Sequence, residues 1–351
     1  MAAEEMSHHV GLIGTKTTVR TVTYDVAIIG AGMAGLSAAR TLRAAGLNVI
    51  VVDKGRGVGG RLATRRIGDA RLDHGAQFFT VRGDDFRSMV DEAIAAEVVH
   101  VWCHGFSGDD GYPRFACAGG MTGLAKWMAA DLAESGDLKL STRIEHIDHD
   151  GSQWTLADDT QTVASAPAVI ITAPVPQTLD LFAASEMAPD AQILEELQQI
   201  QYKSVLGLLA TLDSPPALPS PGAVQATEDD HFTFIADNVA KGVSTSPAVT
   251  FHANGAVSSQ RWDDPEDVVI RDFLEAAKPW IGDAAVLEVE LKRWRFAGPR
   301  QPHPERCVVA FNSPGLIVLG GDAFGGPKVE GAFNSGLACA QKTLAEREES
   351  N

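Results

Sequence analysis

The sequence lacks the features that mark metal-bound, disulfide-linked and membrane-spanning proteins. Its four cysteines are widely spaced and form no C-x-x-C pair, and its ten histidines include no H-E-x-x-H pattern. Neither a metal site nor a disulfide framework is therefore expected, and reduced thiols agree with a cytoplasmic protein. No uncharged apolar run approaches the ~20 residues that cross a bilayer, so no membrane span is predicted.

Basic residues are scarce relative to acidic ones. Lys and Arg number 29 against 46 Asp and Glu, which gives a formal net charge of −17. This charge disfavours nucleic acid and anionic membranes as partners. A hydrophobic content of 45% indicates a globular protein with a sizeable core, and the length predicts about two domains. Residues 1–23 lack the apolar stretch of a signal peptide and are predicted to form a loose extension.

The clearest positive signal is a βαβ pattern within residues 24–61. Residues 26–29 form a short apolar run that predicts a buried strand, residues 36–45 predict a helix, and residues 48–52 predict a second strand. The sequence GAGMAG lies between the first strand and the helix. This arrangement is typical of a dinucleotide-binding fold, in which a pyrophosphate lies at the N-terminus of the helix.

Glycines and one acidic residue of this unit have separate predicted roles. Gly30 permits a tight turn, Gly32 lets the backbone approach a pyrophosphate, and Gly35 lets the helix pack closely on the strand. Asp53 is placed to accept a hydrogen bond from a ribose 2′-OH, which favours FAD or NAD over a 2′-phosphorylated ligand. The cofactor contacts predicted here are Gly30, Ala31, Gly32, Met33, Ala34, Gly35, Asp53 and Lys54.

A second glycine cluster, GGR at residues 59–61, decides between these ligands, because a plain NAD-binding domain does not need it. The GxGxxG motif, an acidic residue about twenty positions later and GGR together resemble the flavin-containing amine oxidase superfamily, whose members bind FAD. The resemblance implies that Gly60 and Arg61 also contact FAD.

Further segments narrow the resemblance within this superfamily. Between residues 24 and 344 the chain contains, in order, DKGRGVGGR, LDHGAQFF, GGMTGLAK, VIITAPVPQ, KRWRFAGP and LGGDAFGGPKVEGAFNSG. These segments resemble the renalase family more than the polyamine or monoamine oxidases. Known renalases oxidise isomeric dihydropyridine forms of NAD(P)H to NAD(P)+ and pass the electrons to O2, which forms H2O2. The resemblance thus implies a dihydronicotinamide dinucleotide as the small-molecule substrate and O2 as the acceptor.

The same resemblance implies an α/β fold with two parts. One is a discontinuous Rossmann-like FAD-binding domain, and the other is an α+β substrate domain that carries a mostly antiparallel sheet. We assign residues 24–83, 117–175 and 305–351 to the FAD-binding domain, and residues 84–116 and 176–304 to the substrate domain. A strand, GGD and helix pattern near the end of the chain supports the return to the first domain.

Several segments outside the opening unit are expected to reach FAD. Asp322 follows a predicted strand, so its carboxylate would accept a bond from a ribityl hydroxyl, although aspartate also occurs there as a helix cap. Glu330 starts the last predicted helix, whose N–H groups would stabilise negative charge on reduced flavin. With the family-implied positions, the contacts expected here are Ala76, Gln77, Phe78, Ile144, Ala173, Asp322, Glu330, Gly331 and Ala332.

We assign no catalytic side chain, since no nucleophile–base pair is present. Hydride transfer from a dihydropyridine to flavin N5 gives an aromatic pyridinium and needs positioning more than acid–base help. The possible substrate-site residues are Asn238, Lys241, His252 and Trp294. His252 and Trp294 would also suit a protein core. Lys241 also remains a candidate for the lysine beside flavin N5 in amine oxidases. FAD is expected to be non-covalent, because Cys339 lies within a predicted helix.

Two other readings stay open on the sequence. One is a flavin amine oxidase or desaturase of the same superfamily, which acts on a C–N or C–C bond. The other is a non-catalytic protein that binds FAD or NAD structurally or as a sensor.

Overall fold

The computed structural model describes residues 23–225 and 231–349, so the extension predicted over residues 1–23 lies, except for its last residue, outside the described part. In chain order the elements are β1 Val26–Ile29, α1 Met33–Ala44, β2 Val49–Val52, β3 Thr64–Ile67, β4 Ala70–Asp73, α2 Asp84–Ala95, β5 Val99–Cys103, β6 Arg114–Cys117, α3 Thr122–Met128, α4 Ala130–Ser135, β7 Leu138–Lys139, β8 His146–His149, β9 Trp154–Ala157, β10 Thr162–Ala166, β11 Ala168–Ile171, α5 Val175–Ala184, α6 Ala191–Gln198, β12 Tyr202–Leu212, β13 Ala223–Val224, β14 Phe232–Asp237, β15 Ala248–Ala253, α7 Gly255–Gln260, α8 Glu266–Ile281, β16 Val286–Pro299, β17 Val308–Phe311, β18 Leu316–Leu319, α9 Asp322–Gly325 and α10 Val329–Glu349.

The first sheet has the order β17-β18-β11-β1-β2-β7, and every neighbouring pair except β17–β18 is parallel. Its central strands are continuous apolar runs such as VIVV in β2 and LIVL in β18, and both of these are buried along their whole length. Such runs suit parallel strands that are covered on both faces. The α/β fold with a Rossmann-like sheet is therefore confirmed, and the carboxyl ends of β1, β2, β11 and β18 share one edge.

The second large sheet is antiparallel and has the order β13-β14-β15-β12-β16. One face buries Leu208 and Phe251 together with Phe273 of α8. This is the antiparallel sheet expected for the second part of the molecule. A smaller sheet of β8, β9 and β10 lies between the strands of the parallel sheet in the sequence.

Residues 84–116 pack with the parallel sheet. Phe86 of α2, Val99 of β5 and Phe115 of β6 belong to the same buried cluster as Val26 and Leu36. The same segment also meets the other half, since the His100 ring lies 3.0 Å from the Lys241 carbonyl oxygen. The domain boundaries within this segment therefore stay a prediction.

Candidate cofactor and substrate site

A cavity of about 1720 Å³ opens where the parallel strands end. Its wall comes from both large sheets, with Gly30 and Ala173 on one side and His252 and Trp294 on the other. Ligand pockets commonly measure about 300–1,000 Å³, so this cavity has room for a large cofactor and a second ligand.

The loop between β1 and α1 forms a site for an anion. Gly30 has a φ of 116°, and a Cβ on Gly35 would lie 1.8 Å from the Gly30 carbonyl oxygen, so both positions require glycine. A Cβ on Gly32 would meet no atom within 4 Å, and Gly32 faces the cavity. α1 has no acidic residue in its first turn and no side-chain cap from Gly32. Its free N–H groups and macrodipole therefore fit the pyrophosphate of FAD.

Asp53 lines the cavity at the end of β2 and is fixed by main-chain donors. The Ala31 N–H donates to Oδ2 and the Gly55 N–H donates to Oδ1, each at 2.6 Å. The remaining lone pairs of this carboxylate can accept a ribose hydroxyl. Ala31 is itself fully buried, and its N–H is used by Asp53. The Ala31 N–H thus holds Asp53 in place, and a direct contact of Ala31 with the cofactor stays a prediction.

Arg61 and Asp322 form a bidentate ion pair on the cavity wall. The two N···O distances are 2.5 and 2.8 Å, and Arg61 also donates to the Phe296 carbonyl oxygen at 3.1 Å. Burial raises the pKa of the Asp322 carboxyl, and Arg61 opposes that rise. The sequence predicts both residues as separate cofactor contacts, whereas in the fold each holds the other in place.

The start of α10 lies against the start of α2. The Glu330 carboxylate accepts the N–H groups of Arg82 and Gly83 at 3.0 and 2.6 Å. A Cβ on Gly331 would lie 2.5 Å from the carbonyl oxygens of Gly325 and Gly326, so no side chain fits there. Glu330 thus caps a neighbouring helix, while Gly331 lets the first turn of α10 face the cavity.

Three residues predicted near the ligands lie behind the cavity wall instead. Lys241 is fully buried, lies 3.1 Å from the Asp73 carboxylate and donates to Gln77 Oε1 at 2.7 Å. Asn238 accepts the Asp73 N–H at 3.2 Å and donates to the Thr250 hydroxyl at 3.0 Å. A buried network thus engages Gln77, Asn238 and Lys241, and the predicted contacts of Gln77 with FAD and of Asn238 and Lys241 with the substrate stay predictions.

His74, His252 and Trp294 form the opposite wall. The rings of His74 and Trp294 stack with centroids 5.3 Å apart, and Trp294 Nε1 donates to the His74 carbonyl oxygen at 2.6 Å. Burial lowers the pKa of His74 to about 4, and Lys292 adds to this shift. Burial also lowers the pKa of His252 to about 4, with a contribution from Lys241. Both rings are therefore neutral at neutral pH.

Most of the predicted positions converge on one cavity. Gly35, like Ala31, Gln77, Asn238 and Lys241, is absent from its wall. Sequence reasoning missed Arg82, Arg295 and Lys328, which line the cavity. Arg295 and Lys328 lie within the segments KRWRFAGP and LGGDAFGGPKVEGAFNSG, but no role was assigned to their side chains. The predicted residues on the wall are Gly30, Gly32, Met33, Ala34, Asp53, Lys54, Gly60, Arg61, Ala76, Phe78, Ile144, Ala173, His252, Trp294, Asp322, Glu330, Gly331 and Ala332.

Residues 23–225 and 231–349 contain neither a metal-binding cluster nor a membrane-spanning helix. No group of three or more His, Cys, Asp or Glu side chains could hold a metal ion. No helix of this part of the chain has the length and apolar character needed to cross a membrane.

Comparison with known proteins agrees with this geometry. Residues 28–93 match the family described as "NAD(P)-binding Rossmann-like domain", and residues 95–344 match "Flavin containing amine oxidoreductase". Renalase of Mus musculus is 23% identical over 333 residues, which cover 89% of this chain and 96% of that protein. Putrescine oxidase of Kocuria rosea is 39% identical over 80 residues, which span only 16% of that protein's length.

Solved structures share the fold at low sequence identity. Putrescine oxidase bound to putrescine superposes with a TM-score of 0.66 at 16% identity and covers 92% of this chain and 99% of its own. Cyclohexylamine oxidase from Brevibacterium oxydans gives a TM-score of 0.67 at 16% identity, with coverage of 93% and 100%. The second family match extends over well more than half of the sequence. The chain therefore belongs to the flavin-containing amine oxidoreductase family and is a FAD-dependent oxidoreductase.

Proposed function

We propose that the chain is a renalase-type oxidase. It takes a hydride from isomeric dihydropyridine forms of NAD(P)H, releases NAD(P)+ and passes the two electrons to O2 to give H2O2. FAD, when bound, supplies the hydride acceptor. We propose that it is held non-covalently, with its pyrophosphate at Gly32, its adenosine ribose at Asp53 and its ribityl chain at the Arg61–Asp322 pair.

The observation that carries the proposal is a group of cations on the cavity wall that lack carboxylate partners in the described part of the chain, although the Arg295 guanidinium also lies 5.5 Å from the Trp262 ring centroid. Arg82, Arg295 and Lys328 line the cavity, and among the described residues none of the three has a carboxylate within ion-pair distance. The segments that carry these cations meet. Glu330, two residues after Lys328, accepts the Arg82 N–H, and a Cβ on Gly298, three residues after Arg295, would lie 3.9 Å from Pro327. Such cations in a chain of net charge −17 favour an anionic ligand such as a dinucleotide.

Proton chemistry points the same way. An alkylamine is protonated at neutral pH, as lysine is, and must lose that proton before it can give up a hydride. His74 and His252, whose pKa values are about 4, are weak bases for this step. The dihydropyridine ring is already neutral and needs no base, so a site lined by His74 and His252 suits it better than it suits an alkylamine.

Anaerobic flavin bleaching tests the proposal. Purified protein should show the flavin absorption bands, and the 2- and 6-dihydro isomers of NAD(P)H should bleach them, whereas putrescine and cyclohexylamine should not. Bleaching by amines alone would show that the assignment is wrong. Flavin that no donor reduces would favour a binding protein.

Charge-removing variants test the role of the cations. Arg82→Gln with Lys328→Gln should raise the dinucleotide concentration needed for half-maximal bleaching by roughly tenfold, the effect of about 1.4 kcal/mol. An N-alkyl dihydronicotinamide without phosphates should be unaffected by the same change. Arg271→Gln, which removes an exposed cation outside the cavity, is the matched control. An equal loss for both donors would refute phosphate binding.

Amine oxidation is the second candidate function. It is supported by the family match and by the shared fold of putrescine and cyclohexylamine oxidases. In that case Lys241 would have to act from behind the wall, where Asp73 and Gln77 hold it.

A further inference from the structure

A buried series of polar side chains connects Asp73 to the cavity wall. Asp73 and Lys241 are both fully buried, and their charged atoms lie 3.1 Å apart. Lys241 Nζ contacts Gln77 Oε1 at 2.7 Å, and Gln77 Nε2 lies 3.4 Å from His252 Nε2. Of these four residues only His252 lines the cavity.

The donor and the acceptor of each hydrogen bond in this series follow from the chemistry of the groups. An ammonium group only donates, so the Gln77 oxygen must face Lys241. The Asp73 carbonyl oxygen only accepts, and Gln77 Nε2 lies 2.7 Å from it, which requires the same amide orientation. The second amide hydrogen is then directed between the Gly75 carbonyl oxygen at 3.3 Å and His252 Nε2 at 3.4 Å. Because that amide nitrogen can only donate, His252 Nε2 has to accept.

The position of the ring proton follows from this direction. Burial lowers the pKa of His252 to about 4, although the His74 main chain acts in the opposite sense, so the ring is neutral at neutral pH. A neutral imidazole carries one N–H. Because Nε2 accepts from Gln77, the ring proton is on Nδ1.

We propose that Gln77, oriented by Lys241 and Asp73, is a positioning residue that keeps His252 neutral with its proton on Nδ1. A neutral ring places no positive charge beside the cation that forms when a substrate gives up a hydride. The donor loses two electrons and one proton as hydride and becomes a pyridinium or an iminium. A charge a few ångströms away would disfavour this product strongly in a partly desolvated site. The inference rests on the proposed function only in requiring a neutral hydride donor.

The ionisable groups around the ring come from several elements. Lys241 follows β14, Asp73 ends β4, and His74 follows it. Lys292 and Glu290 of β16 and Arg65 of β3 act in turn on His74. Beside these groups, Gln77 both contacts the ring and has a fixed donor direction. Its replacement by glutamate puts an acceptor where the amide donor was, and His252 Nε2 would then have to donate.

Nitrogen-15 NMR of histidine-labelled holoenzyme tests the inference without any substrate. The His252 signals, assigned by their loss in His252→Asn, should show an unprotonated Nε2 and no titration from about pH 5 to 8. In Gln77→Glu the added carboxylate should raise the pKa of His252 into this range and protonate Nε2. Gln161→Glu, the same substitution at an exposed turn, should leave the His252 signals unchanged.

The rate of flavin reduction provides a second readout. In Gln77→Glu it should fall by roughly tenfold or more as pH drops through the raised pKa of His252, while the wild-type rate should show no such step. A protonated Nε2 in the wild type would overturn the inference even if Gln77→Glu fails to fold. Wild-type NMR signals in folded Gln77→Glu would do the same. If no donor reduces the flavin, the proposed function fails and the NMR result still stands.

Discussion

At the scale of single residues, the predicted cofactor contacts also bind other parts of the protein. The Asp322 carboxylate is predicted to accept a ribityl hydroxyl of FAD, and in the structure it also pairs with Arg61 from the other end of the chain. Asp53 is predicted as a ribose acceptor, and it is also the residue that orders the Ala31 and Gly55 amides. Motifs single out such residues, but a contact between partners 261 residues apart along the chain cannot be read from motif spacing.

Asp322→Ala should weaken FAD retention. The change leaves the Arg61 guanidinium without its carboxylate partner and removes the proposed ribityl acceptor. We expect the ratio of bound FAD to protein after gel filtration to fall several-fold. Asp272→Ala, which breaks an exposed pair with Arg261 and Arg271, should retain FAD. Full retention in Asp322→Ala would remove the ribityl role.

Acid should destabilise the fold through His74 and His252. Both rings have a folded pKa of about 4 and an ordinary value of 6.5, so between these values the unfolded chain binds more protons. The free energy of unfolding should therefore fall as pH drops from 6.5 towards 4, by up to about 1 kcal/mol per pH unit for each ring. Urea titrations of the wild type and of a His74→Asn, His252→Asn double variant measure this slope. An equal slope in both proteins would contradict the assignment.

At the scale of elements, the sequence predicts most of what the structure contains. The apolar runs at 26–29 and 316–319 each predict a strand, and both strands have these bounds in the structure, because unbroken apolar runs followed by glycine have few alternatives. The pattern over residues 179–200 predicts one long helix, whereas the structure has the two helices α5 and α6. The chain turns between them, where Glu186 has a φ of 53°. Tertiary packing sets such breaks, and apolar periodicity does not report them.

The contact between α1 and α10 should tolerate no added methyl group. A Cβ on Gly336 would lie 2.0 Å from the Ala34 carbonyl oxygen, and both helices begin at the cavity. Gly336→Ala should lower the free energy of unfolding by about 1–3 kcal/mol and weaken FAD binding by displacing the helix starts. Gly255→Ala, where a Cβ meets no atom within 4 Å, is the control. Thermal melts and FAD content measure both effects, and two equally stable variants would contradict the prediction.

A buried ion pair connects the two-stranded sheet of β3 and β4 to the five-stranded antiparallel sheet. Asp73 ends β4, and it also accepts the Thr64 hydroxyl at 2.6 Å and the Met121 N–H at 2.8 Å. Lys241 follows β14 of the five-stranded sheet. Sequence reasoning placed Lys241 in the substrate site because an N-x-x-K element does not show which way its lysine points.

Loss of the Lys241 charge should destabilise the whole protein. Lys241→Met leaves the Asp73 carboxylate buried without its cation, which should reduce the free energy of unfolding by about 3–5 kcal/mol. Adding Asp73→Asn should recover part of that loss, as a double-mutant cycle in urea would show. Lys278→Met, which removes an exposed pair with Glu275, should change stability by less than about 1 kcal/mol. Additive losses for Asp73 and Lys241 would argue against their coupling.

The strand order of the parallel sheet also determines when the cofactor site can form during synthesis. β18 pairs with β11 along one edge, and α10 covers α1, so the final segment of the chain completes a unit begun by β1. A nascent polypeptide still attached to the ribosome before β18 emerges has an unpaired β11 and lacks Asp322 and Gly331. Contacts between such distant segments form slowly. FAD capture should therefore follow the emergence of β18 and α10, and a chain stalled before β18 should depend on chaperones to protect that open edge.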